Sequence, residues 1–178
     1  MTTTASIASA AAPDASSWRT RQVTTIVSWF ERIPNSLISL IARFSIAAVF
    51  WNSGQTKVEG LAINIVTGEF KLGWPRLSDS VLELFKDEYR LPLLPPEFAA
   101  PMTATAEHLF PLLILIGLAT RLSALALLCM TVVIQVFAYS GAYATHGTWM
   151  AVLLFLVARG PGVWSVDHWL WRRHGGTR

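Results

Sequence analysis

FAAPMTATAEHLFPLLILIGLATRLSALALLCMTVVIQVFAY, residues 98–139, decides the fold. Two apolar runs, Phe98–Ala119 and Leu122–Tyr139, meet at Ala119-Thr120-Arg121. Each is close to the roughly 20 residues that a helix needs to cross a bilayer. So tight a link predicts two antiparallel neighbours.

Working outward, two further apolar runs flank this pair, at Leu37–Gly54 and Thr148–Ala158. The last reaches spanning length only if it is extended from Tyr143 to Val163. Together the runs use up most of the 178 residues. The function must therefore live in a membrane bundle and one long loop, which excludes most soluble enzyme classes. Composition agrees: the chain is 53% hydrophobic and 14% charged, with mean hydropathy +0.46, against about a quarter charged in a soluble domain. The predicted fold is all-α: a polytopic membrane protein with a bundle of four transmembrane helices.

Residues 1–17 are rich in Ala, Ser and Thr and lack a basic segment followed by an apolar one. They are expected to be a disordered tail rather than a cleaved signal. Val23, Ile26, Val27, Phe30 and Ile33 then recur at helical spacing, with Arg19, Arg21, Glu31 and Arg32 elsewhere on the wheel. This predicts an amphipathic helix lying in the membrane interface, broken at Pro34-Asn35-Ser36. Residues 18–171 read as one membrane domain and 172–178 as a basic cytoplasmic tail.

The loop 55–97 is expected on the periplasmic side. Ile63–Val66, Thr67-Gly68 and Glu69–Leu72 predict a small hairpin. Ser80 with Glu83 reads as a capping box for a helix through Tyr89, and Leu91–Pro96 as an extended run. Arg121 in the tight turn and Arg172 and Arg173 near the end predict that both termini are cytoplasmic. The net charge is +3. The basic ends read as anchors at an anionic membrane face, not as a nucleic-acid surface. Cys129 is the single cysteine. It excludes an intramolecular disulfide and is expected to be a packed apolar residue.

Polar groups inside the spans are the candidates for function, because charge at bilayer depth is expensive and normally paired. Measured from the helix ends at 1.5 Å per residue, Arg43 lies roughly 16 Å deep and Glu107 roughly 13 Å deep. An Arg43–Glu107 pair is therefore expected, either fixing helix register or binding an anionic or quinone-like ligand. His108 points about 100° away from Glu107, so the two do not share a metal. His146, His168 and His174 have no ligand spacing either, and no metal site is expected. Asn52, Gln55, Lys57, Gln135, Tyr139, Tyr143 and His146 are expected at the outer mouth, as a polar pocket or as an ordinary interfacial belt. Asp167 and His168 fall where they can bond helix ends. No motif for nucleophilic catalysis, phosphate loops or dinucleotide binding is present.

The residues also resemble a known family. Arg43 with Phe50-Trp51-Asn52-Ser53-Gly54-Gln55-Thr56-Lys57 is similar to the first-helix pattern of the DoxX family. Glu107-His108-Leu109-Phe110-Pro111 followed by Gly117-Leu118-Ala119-Thr120-Arg121-Leu122 resembles its second helix and turn. Met130–Gln135 and Gly160-Pro161-Gly162-Val163-Trp164-Ser165-Val166-Asp167 resemble its later helices. The resemblance implies a small four-helix protein of the bacterial inner membrane. It also implies a subunit of a quinone-linked oxidoreductase complex, with quinone as ligand and protein partners in the membrane. A non-enzymatic scaffold or small-molecule transporter is the rival reading. A purely structural anchor for an enzyme docked on the long loop is a third.

Overall fold

The computed structural model describes residues 15–64, 67–89, 92 and 94–175. It contains two compact units, residues 1–34 and 35–178. The first is the helix α1 (Ala15–Glu31). Val23, Val27 and Phe30 on it are exposed, as the helical spacing predicts for an amphipathic element. The expected disordered tail lies, up to residue 14, outside the described residues; Ala15–Ser17 already belong to α1.

The second unit is built on α2 (Asn35–Gln55), α4 (Pro96–Ile116), α5 (Thr120–Phe137) and α6 (Tyr143–Arg159). All four are long and apolar enough to cross a membrane, the last when counted from Ser140. The chain is a multi-pass, all-α membrane protein. Helix α2 packs on α4, α4 on α5, α5 on α6, and α6 closes back onto α2. The core inside this ring is Ala42, Ile46, Phe50, Ile114, Ala124, Leu127, Leu153 and Leu156. Its outer surface is apolar: Phe44, Leu109, Leu122, Val136 and Leu154 are all exposed. Lipid tails are as apolar as leucine, so such residues need not turn inward, and small residues take the helix contacts. On α5 the buried face is Thr120, Ser123, Ala124, Leu127 and Thr131.

That stripe corrects one expectation. Cys129 is exposed, not packed, because it lies off this small-residue face and its side chain is apolar enough to face lipid. Helix α6 runs from Tyr143 to Arg159, and Gly160-Pro161-Gly162 stops it, as their sequence predicts.

The tight turn after α4 depends on Gly117. Its φ is +75°, and a Cβ there would fall 2.5 Å from the Cβ of Ser165 and 3.0 Å from the Arg43 guanidinium. Gly117 N–H donates to the Ile114 carbonyl and Leu118 N–H to that of Leu113, closing the helix end in the left-handed turn that glycine favours. Asp167, at the start of α7 (Val166–Arg173), accepts from Ala119 N–H at 2.8 Å and Thr120 N–H at 3.0 Å. The expected role of Asp167 in bonding helix ends is therefore observed.

The long loop folds back on the bundle. Strands β1 (Val58–Asn64) and β2 (Glu69–Leu77) pair antiparallel, Val58 opposite Leu77 and Asn64 opposite Glu69. The hairpin is longer than its predicted core; residues 65 and 66 lie outside the described set. Helix α3 (Asp79–Leu84) and a π-helical turn (Phe85–Tyr89) follow. The helix starts one residue after Ser78, not at a Ser80 capping box. The Ser80 hydroxyl instead lies 2.9 Å from that of Ser78, which also donates to Glu59. Val81, Phe85 and Tyr89 pack on Ala99 and Ala100 as a second small core over the first turns of α4. Of the expected extended run Leu91–Pro96, residues 91 and 93 lie outside the described residues, and Pro96 already begins α4.

Candidate functional site

Glu107 is buried, and its partner is Lys57, not Arg43. Lys57 Nζ lies 2.6 Å from Glu107 Oε2. Ser53 joins them: its hydroxyl donates to Glu107 Oε1 at 3.1 Å and accepts from Lys57 Nζ at 3.1 Å. Lys57 also donates to the Ser53 carbonyl at 3.3 Å. Only 4% of Lys57 and 1% of Glu107 is exposed, so each charge depends on the other for compensation.

The expected Arg43–Glu107 pair fails because α2 and α4 do not end at one level. Arg43 reaches the Ile114 and Leu115 carbonyls while Ser53 reaches Glu107. The helices thus run antiparallel, with α4 extending beyond the end of α2 by the segment that carries the second core. Depths counted from each helix end do not share an origin. Arg43 serves the opposite end of the bundle. Its Nε donates to the Ile114 carbonyl at 2.8 Å and its Nη2 to Leu115 at 2.5 Å, while Nη1 donates to Pro161 at 3.1 Å and Trp164 at 2.7 Å. One guanidinium therefore ties the end of α4 to the turn after α6.

The remaining mouth residues fall into separate groups. Gln135 Nε2 donates to the Ser140 carbonyl at 2.7 Å. A carbonyl only accepts, so Gln135 Oε1 faces His146 Nδ1, 2.7 Å away, and that nitrogen carries the proton. Tyr139 donates to Glu88 Oε2 at 2.6 Å, and its ring meets the edge of Tyr89 at 5.7 Å. Asn52 lines a different cleft, below the hairpin. Tyr143 is exposed.

Two of these groups adjoin. Burial, the neighbouring Tyr139 and the charge of Glu107 all push the Tyr89 phenol upward. The hydrogen bond to Glu88, with burial second, raises that of Tyr139. Ser53, Glu88 and Tyr89 were not anticipated from sequence. A small hydroxyl one turn before Lys57 was the signal for Ser53; for the other two no local pattern points inward.

A second constellation surrounds His108. Ile63 N–H donates to Gln55 Oε1 at 2.7 Å, and Trp51 Nε1 donates to the Ile63 carbonyl at 2.9 Å. Trp51 and Gln55 share a helix face, so together they clamp the hairpin to the end of α2. Gln55 Nε2 is left to face His108 Nε2 at 2.8 Å, while His108 Nδ1 lies 2.7 Å from the Ala104 carbonyl. The only consistent assignment is a neutral imidazole, protonated on Nδ1. Gly54 permits the close approach: a Cβ there would fall 2.8 Å from the His108 ring. His108, Trp51, Leu61, Pro101 and Leu112 line a cleft of about 480 Å³ between hairpin and α4.

Of the other motif residues, Arg121 lies against Gly160, and Pro161 offers its carbonyl to Arg43. The DoxX family model matches residues 38–140. No curated protein and no solved structure matches the chain.

Proposed function

The chain belongs to the DoxX family, and from that premise we propose that it is the membrane subunit of a quinone-linked redox complex in the bacterial inner membrane. The observation that carries this reading is the cleft between hairpin and α4. Its walls are mostly apolar and include the His108 ring, whose two nitrogens are already bonded to Gln55 and to the Ala104 carbonyl, while Arg76 brings a guanidinium donor to its edge. This fits an apolar ring with a carbonyl, as ligand pockets combine apolar walls with a few placed polar groups. A quinone supplies two-electron, two-proton carriage between proteins. The residues of this chain bind and orient: Trp51, His108 and Leu112 wall the cleft, and Arg76 and Thr105 give its polar edge. The Lys57–Glu107 pair behind them holds α2 against α4. Protein partners provide the electrons.

In this reading the end carrying Arg121, Arg159, Arg172 and Arg173 is cytoplasmic, as a concentration of basic residues favours. The hairpin is periplasmic, and α1 lies in the headgroup layer.

The test is equilibrium binding of a short-chain benzoquinone to the detergent-purified protein. Saturable binding that weakens in His108→Leu and in Leu112→Trp supports the reading. Absence of saturable binding by the wild type, alone and with co-purifying partners, overturns it.

A scaffold role is the second reading, and one observation favours it. Phe70, Leu72 and Trp74 alternate along β2 and are 63%, 84% and 85% exposed, so they share one face. Replacing all three by serine should abolish recovery of partner proteins without affecting membrane insertion. Unchanged recovery would count against a scaffold.

A further inference from the structure

At the end of the bundle opposite Lys57 and Glu107 lies a cleft of about 630 Å³. It forms where α2 and α5 begin and α6 ends, and its wall includes Asn35, Ser36, Arg121, Arg159, Asp167 and His168. We propose that this cleft is a binding site for a phosphate oxyanion, the charged group of an anionic phospholipid headgroup. The inference is independent of any quinone site, which uses other residues at the other end.

Three observations carry it. Arg121 and Arg159 make no hydrogen bond or ion pair with any described residue, in contrast to Arg43, whose four bonds are all to protein carbonyls. The one acid in the lining, Asp167, is already committed: each of its oxygens accepts a backbone N–H. Among the described residues neither guanidinium is bonded to an acid, and the wall sets two guanidinium charges against the single Asp167 carboxylate, an excess of positive charge. A planar fork with paired donors suits a phosphate better than a point charge does.

The second observation is where Arg121 rests. Its Nε and Nη2 lie 3.3 and 3.4 Å from where a Cβ on Gly160 would stand. A Cβ there would press on the guanidinium and shift it by a few tenths of an ångström. Ser39 holds the same glycine from below, donating to its carbonyl at 3.0 Å. The third is the start of α2. Asn35 and Ser36 bring the first-turn N–H groups of a 21-residue helix to the cleft. These groups lack intrahelical partners and favour an anion. Ser36 Oγ accepts from Val163 N–H at 3.2 Å, which leaves its own hydroxyl proton available to a ligand.

Position favours a lipid as the source. The cleft lies at the helix ends, where headgroups sit, and Trp171 borders it, as tryptophan does at membrane interfaces.

The experiment is native mass spectrometry of the full chain released from detergent, titrated with phosphatidylglycerol, phosphatidylcholine or inorganic phosphate. The wild type should retain phosphatidylglycerol. Retention should weaken about tenfold for each arginine replaced in Arg121→Gln and Arg159→Gln, the loss of one charged hydrogen-bonding group. Arg121→Lys should fall between, because it keeps the charge and loses the fork. Arg172→Gln, at the same end but outside this cleft, should behave as wild type. Equal loss in Arg172→Gln would overturn the site in favour of diffuse surface charge. Failure of the wild type to retain either anion would overturn it outright. Inorganic phosphate displacing the lipid at millimolar concentration would support the oxyanion site and assign it to the free ion. Thermal unfolding of each variant without lipid separates loss of binding from loss of fold.

Discussion

Lys57 and Glu107 form a buried ion pair at 2.6 Å, with the Ser53 hydroxyl bonded to both. The pair joins the turn after α2 to the middle of α4, so it crosses the contact on which the first two spans depend. Removing one partner strands the other in a poorly solvated site. Glu107→Gln and Lys57→Met should each lower stability by about 3–5 kcal/mol. The double variant Lys57→Met with Glu107→Leu should recover most of that loss. A thermal-unfolding cycle in detergent checks it; strictly additive losses would mean that the two charges do not compensate each other.

Arg43 should be intolerant even of lysine. Its four donated bonds reach carbonyls in two separate segments, and an ammonium cannot span that spread. Arg43→Gln should cost about 3 kcal/mol or more, since several buried carbonyls lose a charged donor. Arg43→Lys should fall between it and wild type. Melting temperatures of the three proteins decide this, and a lysine variant as stable as wild type would refute the role given to the guanidinium.

Tyr89 and Tyr139 should ionise late. Both phenols are raised, Tyr89 chiefly by burial and Tyr139 chiefly by its bond to Glu88. A free tyrosine titrates near pH 10. Above that pH the unfolded chain sheds these protons while the folded one retains them. Their contribution to stability is thus full below about pH 10 and is lost as pH rises through the raised values. Difference spectra at alkaline pH, wild type against Tyr89→Phe and Tyr139→Phe, should place both transitions above that of a model phenol.

The spans were legible because apolar runs of bilayer length have few alternative readings, and the Ala119-Thr120-Arg121 link fixed the pairing of α4 with α5. The partner of Glu107 was not legible. It depends on how far α4 overshoots the end of α2, and the overshooting turns are covered by Val81, Phe85 and Tyr89 from the distant loop, packed on Ala99 and Ala100. Nothing local to Glu107 encodes it. Arg43 was identified as buried, but its partners are backbone carbonyls, which every residue carries and no sequence pattern marks. Gln135 and His146 were placed at one mouth and do touch. Asn52 and Tyr139 were placed beside them and instead serve different surfaces, because residues at one depth can still face different sides of a bundle.

Cys129 sits on the outward side of α5, and it is the single thiol of the chain. The native protein therefore carries a unique attachment point on its lipid-facing wall, with no need for a cysteine-free background. A nitroxide or environment-sensitive fluorophore placed there reports from within the acyl-chain layer. It would sense a partner helix laid against α5 as a drop in lipid exposure, in a protein whose core sequence is untouched.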